Sequence, residues 1–323
     1  MATAEQIKAL IRSHFDGNSE RFVTVSLQIA AHEAITGHPA VANDIRQFID
    51  RARSRRGVLP DVTLTRDLSD MLLMTTPKSR LCELIAPESL KQRLQRIVEE
   101  YKGRQKLKQH GMCNRRRILL AGPPGTGKTM TASILANELH LPLHTILMHR
   151  LVTKFMGETS AKLRQIFDMI QEEPGVYLFD EFDAIGAQRG REHEVGEMRR
   201  ILNSFLQFIE QDASDSMIVA ATNTFDVLDS ALFRRFDDVL YFDLPTPAER
   251  SQLLANRLSG LMAADVSIEK VAGEAESLSH AEITRACDDA IKQVLLQHKK
   301  KVSSRLLLSM LEHRHSIYNR KKG

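Results

Sequence analysis

The sequence predicts an α/β fold, in which a parallel β-sheet lies between two layers of helices. Three observations lead to this prediction. Short apolar segments alternate with helical patterns between about residues 81 and 246. A glycine-rich segment joins one of these apolar segments to a helix, and residues 3–54 and the residues after Pro247 have helical patterns without strand patterns. Strands that alternate with helices are typical of a parallel sheet covered on both faces.

The composition is that of a globular protein with a sizeable core. The chain has 323 residues, of which 42% are hydrophobic and 27% charged, and its net charge is +4. This length allows two domains, or one large domain with appended segments. A charge this small neither implies nor excludes binding to nucleic acid.

Cysteine usage and hydropathy indicate a cytoplasmic protein. Cys82, Cys113 and Cys287 are widely separated, which argues against a disulfide scaffold or a zinc site. The first residues are polar and amphipathic, without the apolar segment of a signal peptide. No run approaches the roughly eighteen apolar residues of a membrane span, so we expect no membrane contact.

Residues 1–56 are predicted to form a small N-terminal helical bundle that docks a substrate or partner. Ile7, Leu10, Ile11 and Phe15 have the spacing of one helical face. "SERFVTVSLQIAAHEAI" and "PAVANDIRQFIDRA" are predicted as two further helices, separated by Gly37-His38-Pro39. Residues 57–80 lack sustained periodicity and are predicted to be a linker.

Residues 81–246 are predicted to form the large αβα domain. The first segment, "LCELIAPESLKQRLQRIVEEYKGRQKLKQHG", is predicted to be helical, and the strands are "RILLAG", "LPLHTI", "GVYLFD", "SMIVAAT" and "DVLYFDL". After Pro245 and Pro247 the strand patterns end, and residues 247–323 are predicted to form a helical lid and a C-terminal helix.

Residues 122–129 match G-x-x-x-x-G-K-[ST], with a strand before them and a helix after them. Backbone N–H groups of such a loop surround phosphates, and the helix N-terminus favours negative charge. We expect Lys128 to reach the outer phosphates of ATP and the Thr129 hydroxyl to bind Mg²⁺. A chance glycine-rich turn is the alternative. The cofactor-binding candidates in this loop are Gly122, Pro123, Pro124, Gly125, Thr126, Gly127, Lys128, Thr129 and Met130.

An apolar strand that ends in two carboxylates supplies candidates for the chemistry. Val176–Phe179 would be a buried central strand, followed by Asp180 and Glu181. Ligands of such sheets bind at the carboxyl ends of the strands. We therefore expect Asp180 to hold Mg²⁺ and Glu181 to accept a proton from the attacking water. A solvated acidic strand end is the alternative.

Asn223 ends the strand "SMIVAATN" and is a third candidate. Its neutral amide could orient water against the γ-phosphate, although an Asn at this position is most often a turn residue.

The segments GPPGTGKT, LFDEFDAIG, ATN and LDSALFRRFDD resemble those of AAA+ ATPases in order and spacing, over approximately residues 81–300. The short "RRF" segment is most similar to the AAA branch that includes katanin, spastin and related protein remodellers. The resemblance implies a P-loop NTPase fold, ATP and Mg²⁺ as cofactors, and hydrolysis of ATP to ADP and phosphate. It also implies a homo-oligomeric ring, usually a hexamer.

The resemblance assigns Arg234 and Arg235 as arginine fingers that reach the γ-phosphate of the neighbouring subunit. Guanidinium groups bind phosphate oxygens in a fork and stabilise the charge that develops in phosphoryl transfer. Without the resemblance, helix capping or surface salt bridges would be preferred. Arg199 and Arg200 are weaker candidates for a contact with a neighbour.

The lid departs from the pattern of some relatives. Ser279-His280-Ala281-Glu282 stands where they carry a Gly-Ala-Asp triplet. His280 and Ala281 are candidates for contact with the adenine or ribose, and a structural histidine is an equal alternative for His280. Arg285 is not a confident lid arginine.

The resemblance also places the first pore loop at Lys154, Phe155, Met156 and Gly157. Large apolar groups there would grip a passing polypeptide without demanding a sequence. From composition alone, Phe155 and Met156 could equally be a small satellite core. The segment "AQRGREHEVGE" would be a second loop, in which His193 could face substrate, although a solvated loop is simpler.

The leading hypothesis is therefore an ATP-driven ring that threads, unfolds or disassembles proteins, with a possible partner protease or effector. The alternative is a nucleic-acid-linked AAA+ switch or loader, suggested by the basic runs at residues 51–56, 115–117 and 299–301. Such runs are more often solvated faces, and an aromatic pore loop favours protein. A static ATP-binding scaffold is a third hypothesis, which the presence of Glu181 and both arginines disfavours.

Overall fold

A computed structural model describes residues 8, 19–35, 38, 41–45, 47, 72–154, 158–186, 192–224 and 230–319. The chain divides into two compact units, residues 1–63 and 64–323. The division falls inside the segment that the sequence predicts to be a linker. The predicted domain boundaries stay predictions.

Among the described residues of the first unit is a long helix, α1 (Ser19–Ile35), with the bounds of the second predicted helix. Val25, Ile29 and Ala30 are buried on it. Residues 41–45 are also helical, in the third predicted helix. The first predicted helix lies outside the described residues except for Lys8, and so does the basic run at residues 51–56.

The second unit is built on a six-stranded sheet with the order β1-β3-β4-β5-β2-β6. All neighbouring strands are parallel except β1, which is antiparallel to β3. The five strands predicted from the sequence are confirmed as β2 to β6. The strands are β1 (Leu72–Thr75), β2 (Arg117–Ala121), β3 (Leu143–Leu147), β4 (Val176–Asp180), β5 (Met217–Thr222) and β6 (Asp238–Tyr241).

The sequence does not predict the edge strand β1, because this strand lies in the segment predicted to be a linker. Leu72 is opposite Ile146 and Thr75 is opposite Leu143, so the strand is stabilised by β3, far along the chain. Only Leu72 of the four residues is buried. A strand that buries one residue has no apolar alternation for sequence analysis to detect.

Helices cover both faces of the sheet and form the C-terminal lid. The region from residue 81 is helical only from Glu88, because Pro87 stands at the N-cap and residues Leu81–Glu83 form a short 3-10 turn. The helices are α2 (Glu88–Lys102), α3 (Arg104–Gln109), α4 (Lys128–Leu139), α5 (Met148–Lys154), α6 (Thr159–Glu172), α7 (Asp183–Gly186), α8 (Glu192–Gln211), α9 (Ser230–Phe233), α10 (Pro247–Arg257), α11 (Ile268–Glu274), α12 (His280–Leu296) and α13 (Ser304–Asn319).

Successive residues of the central strands contribute to two different cores. In β4, Phe179 packs with Phe167 and Phe205 on one face of the sheet, and its neighbour Leu178 belongs to the core with Leu135 on the other. Side chains alternate along a strand, so a strand that is apolar throughout needs cover on both faces. This confirms the αβα sandwich. A third core, which includes Leu254, Leu258 and Ala286, lies within the lid.

Two of the three arginines at residues 115–117 form ion pairs with carboxylates at the amino end of the sheet. Arg116 forms an ion pair with Asp212, which is fully buried. Arg115 contacts Glu100 and Asp238, each at 3.4 Å. Two charges of this basic run are therefore neutralised within the domain, which weakens the run as evidence for nucleic-acid binding.

Within the described parts of the chain, none of the helices combines the length and apolar character that crossing a bilayer requires.

Candidate functional site

The glycine-rich loop follows β2 and leads into α4, as the sequence predicts. Gly122 has φ 151°, and a Cβ there would lie 1.9 Å from the Phe242 carbonyl oxygen. Gly125 has φ 77°, and a Cβ there would lie 2.6 Å from Ser279 Oγ. Only glycine fits these backbone angles and this space. The loop can therefore bring its backbone close to a ligand.

Lys128 is the first residue of α4 and its side chain is buried. Its Nζ donates hydrogen bonds to the carbonyl oxygens of Gly122 and Pro123, at 2.7 and 2.8 Å. Burial lowers the pKa of Lys128 to about 8, and the nearby carboxylates of Asp180 and Asp183 act in the opposite direction. The ammonium group is thus held under the loop, at the helix end that favours anions.

Thr129 and Asp180 come together although they are far apart in sequence. Thr129 Oγ1 donates a hydrogen bond to Asp180 Oδ2 over 3.0 Å. A hydroxyl and a carboxylate are the hard oxygen ligands that Mg²⁺ prefers, and Mg²⁺ commonly uses few protein ligands together with phosphates and water. The pair therefore fits the predicted metal ligands, with Lys128 beside it for the phosphates.

Glu181 follows Asp180 with φ 55°, a left-handed conformation that is uncommon for residues other than glycine. Its backbone N–H donates to Asp180 Oδ1 over 2.9 Å. Its carboxylate contacts Nδ1 of His149 in α5. Sequence analysis missed His149, although the neighbouring strands β3 and β4 end together, with Leu147 opposite Asp180.

Asn223 follows β5 and lies at the same edge of the sheet. Its backbone N–H donates to Asp183 Oδ1 over 3.3 Å. Asn223 lines the same cavity as Asp180 and Glu181. The three strand ends thus meet at one site, as the parallel sheet predicts.

One cavity of about 830 Å³ joins these groups to the lid. This volume is within the range of small-molecule and cofactor sites. Its lining includes residues 124–130 with Asp180, Glu181 and Asn223, and also the apolar residues Leu84, Ile85 and Leu253. Sequence analysis did not identify these three, because apolar residues of a cavity wall have the pattern of core residues.

The lid contacts the glycine-rich loop directly. The Ala281 backbone N–H donates to the Gly125 carbonyl oxygen over 2.9 Å. Ser279 is the N-cap of α12 and lies against Gly125, and His280 is between the two contacts. His280 and Ala281 line the cavity, and so does Arg285. Their predicted role in nucleotide binding stays a prediction.

Arg234 and Arg235 follow α9 and are exposed. Arg235 forms an ion pair with Glu210 near the end of α8. Neither arginine lines the cavity of its own chain. Arg199 and Arg200 are exposed on α8.

The predicted first pore loop is described only in part. Lys154 is the last residue of α5. Phe155, Met156 and Gly157 lie outside the described residues, and so do residues 187–191 of the predicted second loop. The rest of that segment, residues 192–197 with His193, is not a loop but the first part of helix α8. The first pore loop, and residues 187–191 of the second, therefore stay predictions.

A family model, "ATPase family associated with various cellular activities (AAA)", matches residues 118–244. Sinorhizobium fredii has a similar protein, described as the uncharacterized AAA family ATPase y4kL. It is 32% identical over 312 residues, which cover 94% of this chain and 93% of the relative.

Two ATP-dependent zinc metalloproteases are also similar. FtsH 1 of Sphaerobacter thermophilus is 30% identical over 78% of this chain and 40% of its own length. FtsH of Rhodothermus marinus is 36% identical over 63% of this chain and 30% of its own length. The chain thus spans less than half of these metalloproteases.

Proposed function

Because the chain belongs to the AAA family of ATPases, we propose that it binds ATP in the cavity between the glycine-rich loop and the lid and hydrolyses it to ADP and phosphate. The observation that carries the proposal is the meeting of Thr129 and Asp180, 3.0 Å apart, beside buried Lys128. A cation, a metal-ligand pair and a carboxylate base are the groups that phosphoryl transfer to water requires.

Each group has a separate role. The backbone N–H groups of residues 122–129 and the Lys128 ammonium hold the phosphates, and Thr129 and Asp180 hold Mg²⁺. When bound, Mg²⁺ neutralises the charge of the phosphate oxygens. Glu181 accepts a proton from the attacking water, and the Asn223 amide orients that water.

The active form is a homo-oligomeric ring, proposed to be a hexamer. Arg234 and Arg235 act on the ATP of the neighbouring subunit. Two observations support this role: both arginines are exposed, and neither lines the cavity of its own chain. An exposed guanidinium at an interface between subunits can reach a phosphate of the nucleotide that is bound by the neighbouring subunit.

The ring threads a protein substrate through its centre, with Phe155 and Met156 as the gripping side chains. The FtsH relatives are named ATP-dependent zinc metalloproteases, and this name supports a protein as the substrate of the present chain. Residues 1–56 dock the substrate, a partner protease or another effector. We place the protein in the cytoplasm, without a membrane or nucleic-acid partner. The narrower resemblance to katanin and spastin stays a prediction.

The variant Glu181→Gln tests the proposal. It should bind ATP, hydrolyse it very slowly and retain the assembled ring, because the phosphate-binding groups are unchanged and the base is lost. Hydrolysis is measured by phosphate release, retained ATP by filter binding, and mass by light scattering with ATP and Mg²⁺. Glu172→Gln, an exposed carboxylate at the end of α6, is the matched control. Normal turnover by Glu181→Gln would remove Glu181 as the base, and a monomer under all nucleotide conditions would contradict the ring.

A further inference from the structure

The peptide group between Thr222 and Asn223 joins three parts of the candidate site. Its carbonyl oxygen, on Thr222, accepts a hydrogen bond of 3.3 Å from the N–H of Gly122, the first residue of the glycine-rich loop. Its N–H, on Asn223, donates to Asp183 Oδ1, also over 3.3 Å. Asp183 comes two residues after the proposed base, Glu181. One peptide group therefore links the glycine-rich loop, the end of β5 and the segment that carries the base.

The base itself is held by a different hydrogen bond. Glu181 is in the left-handed conformation, with φ 55°, and such a residue needs contacts that hold it there. The N–H of the next residue, Phe182, donates to the Ala221 carbonyl oxygen over 2.8 Å. This bond joins two backbone groups, so a substitution of the Asp183 side chain leaves it in place. The Asp183 carboxylate thus acts on Asn223 and not on the base.

Asp183 is not a wall of the cavity. It is half-buried as the first residue of α7, whereas Glu181 and Asn223 line the cavity. Its carboxylate has two connections to the site, which are the hydrogen bond from the Asn223 N–H and its negative charge near Lys128. A hydrogen bond fixes the position of its donor, and an ionised acceptor makes it stronger than a neutral one.

We propose that Asp183 is a positioning residue for ATP hydrolysis, which holds the backbone of Asn223 so that the Asn223 amide is directed at the attacking water. The inference rests on the proposed function, because it assumes the roles proposed for Asn223 and Glu181. The water has to meet both the amide and the base, so a small displacement of the end of β5 would separate the two groups. Loss of Asp183 should therefore slow the chemical step and leave nucleotide affinity unchanged.

Three substitutions separate the hydrogen bond of Asp183 from its charge. Asp183→Ala removes both, and Asp183→Asn keeps an acceptor oxygen without the charge. Asp183→Glu keeps the charge but moves the acceptor by one methylene group. Asp168→Ala is the control, because Asp168 is an exposed carboxylate on α6. Phosphate release with ATP and Mg²⁺ gives kcat and KM, and titration calorimetry gives the affinity for ADP.

We expect Asp183→Ala and Asp183→Glu to lower kcat by about ten-fold or more, the effect of one hydrogen bond to a charged group. KM for ATP and the affinity for ADP should be unchanged, because the lost interaction serves the chemical step. Asp183→Asn should retain kcat within about three-fold, since a neutral acceptor is weaker but remains in place. Asp168→Ala should match the unmodified protein.

Two further measurements show whether Asp183 acts through Asn223. Asn223→Ala keeps the backbone N–H and loses the amide, so adding Asp183→Ala to it should leave kcat unchanged. Hydrogen exchange of the Asn223 backbone N–H, followed by mass spectrometry in the nucleotide-free protein, reports the bond directly. Exchange should be about 5–10-fold faster in Asp183→Ala than in Asp183→Asn or the unmodified protein.

An unchanged kcat in Asp183→Ala would overturn the inference. So would an equal loss in Asp183→Asn and Asp183→Ala, which would assign the effect to the charge. A further loss on adding Asp183→Ala to Asn223→Ala would overturn it too, because Asp183 would then act independently of Asn223. If Asp183→Ala does not fold, Asp183→Glu takes its place in each comparison. If the unmodified protein does not hydrolyse ATP, the proposed function fails and the inference fails with it.

Discussion

The carboxylate of Glu181 contacts Nδ1 of the His149 ring. Glu181 follows β4, and His149 is the second residue of α5, which directly follows β3. These strands are neighbours in the sheet, so the pair joins the two elements at the edge that faces the cavity. α5 ends at Lys154, the first residue of the predicted pore loop. The proposed base is therefore in contact with the helix that leads to the proposed substrate-binding loop.

Removal of His149 should increase basal ATP hydrolysis. A carboxylate that is held by a histidine is less free to accept a proton from water. Both side chains are about half exposed, at 45% and 50%, so the pair is worth at most about 1 kcal/mol. We expect His149→Ala to raise kcat no more than about 5-fold, with KM for ATP unchanged.

The measurement is steady-state phosphate release over a range of ATP concentrations. Arg150→Ala is the matched control, since Arg150 is exposed on the same helix. A fall in kcat of about ten-fold or more, at constant KM, would instead show that His149 holds Glu181 in its productive position.

The contact between His149 and Glu181 could not be predicted from the sequence. The glycine-rich loop, Asp180 and Glu181 could be predicted because their spacing and the strands before them are local properties of the chain. The pairs of His149 with Glu181 and of Arg116 with Asp212 depend on which strands and helices become neighbours in the fold. No local pattern records such a contact.

The same reason explains the missed edge strand and the changed interpretation of the basic run. β1 buries only Leu72, and β3 supplies its hydrogen bonds. Residues 115–117 are a conspicuous charge cluster in the sequence, whereas the carboxylate partners of Arg115 and Arg116 come from α2, from β6 and from the residue after α8. The positive charge of this run is evident from the sequence, but the contacts with carboxylates could not be predicted from it.

Gly125→Ala should impair nucleotide binding through the contact between the loop and the lid. The new methyl carbon would lie 2.6 Å from Ser279 Oγ and 3.1 Å from Ala281 Cβ, and φ is 77°. It would therefore push α12 away from the loop and strain the backbone. We expect at least about a ten-fold loss of ADP affinity, equivalent to the roughly 1–3 kcal/mol cost of overpacking.

The variant Gly111→Ala is the control that separates the effect of backbone strain from the effect of the steric contact between the loop and the lid. Gly111 has a similar φ of 71°, but a Cβ there would meet no atom within 4 Å. It should lower the free energy of unfolding by about 1 kcal/mol and leave ADP affinity unchanged. Calorimetric titration and urea denaturation measure the two effects. Equal ADP affinities for the two variants would show that the lid contact does not contribute to binding.

His144 should make the stability of the domain depend on pH. The ring is 1% exposed, stacked on Tyr177 with 4.6 Å between the ring centroids, and burial lowers its pKa from 6.5 to about 4. Between these two values the unfolded chain binds the proton more strongly than the folded chain. This contribution to stability is therefore present above pH 6.5 and is lost as the pH falls toward 4.

From pH 7.5 to 5 we expect the free energy of unfolding to fall by about 2 kcal/mol on account of His144. His144→Phe can retain the stack on Tyr177 and should remove this part of the decrease. His110→Phe, at an exposed position, should keep it. The measurement is urea denaturation at several pH values. The same pH dependence in His144→Phe and the unmodified protein would contradict the assignment.

Mixed rings should reveal whether the two arginines act on the neighbouring subunit. Arg234→Ala and Arg235→Ala should each abolish turnover, because the charge that develops on the phosphate would lose its stabilisation. Lys128→Ala should also be inactive, because it lacks the phosphate-binding ammonium. In a mixed ring, some arginine-variant subunits lie next to Lys128→Ala subunits. The ATP site of such an arginine variant has its own intact Lys128, and the neighbouring Lys128→Ala subunit supplies the intact arginines. Mixing should therefore restore part of the activity.

The ion pair between Arg235 and Glu210 makes the two arginines distinguishable. Arg235 is tied to α8 of its own chain, whereas Arg234 has no ion-pair partner among the described residues. Glu210→Gln should free the Arg235 side chain and thereby change the rate of ATP turnover. In a protein that already carries Arg235→Ala, adding Glu210→Gln should leave the turnover rate unchanged. Turnover is measured over a series of mixing ratios, with mixed assembly verified by native mass spectrometry. Verified mixed rings without restored turnover would show that the arginines do not act across the interface.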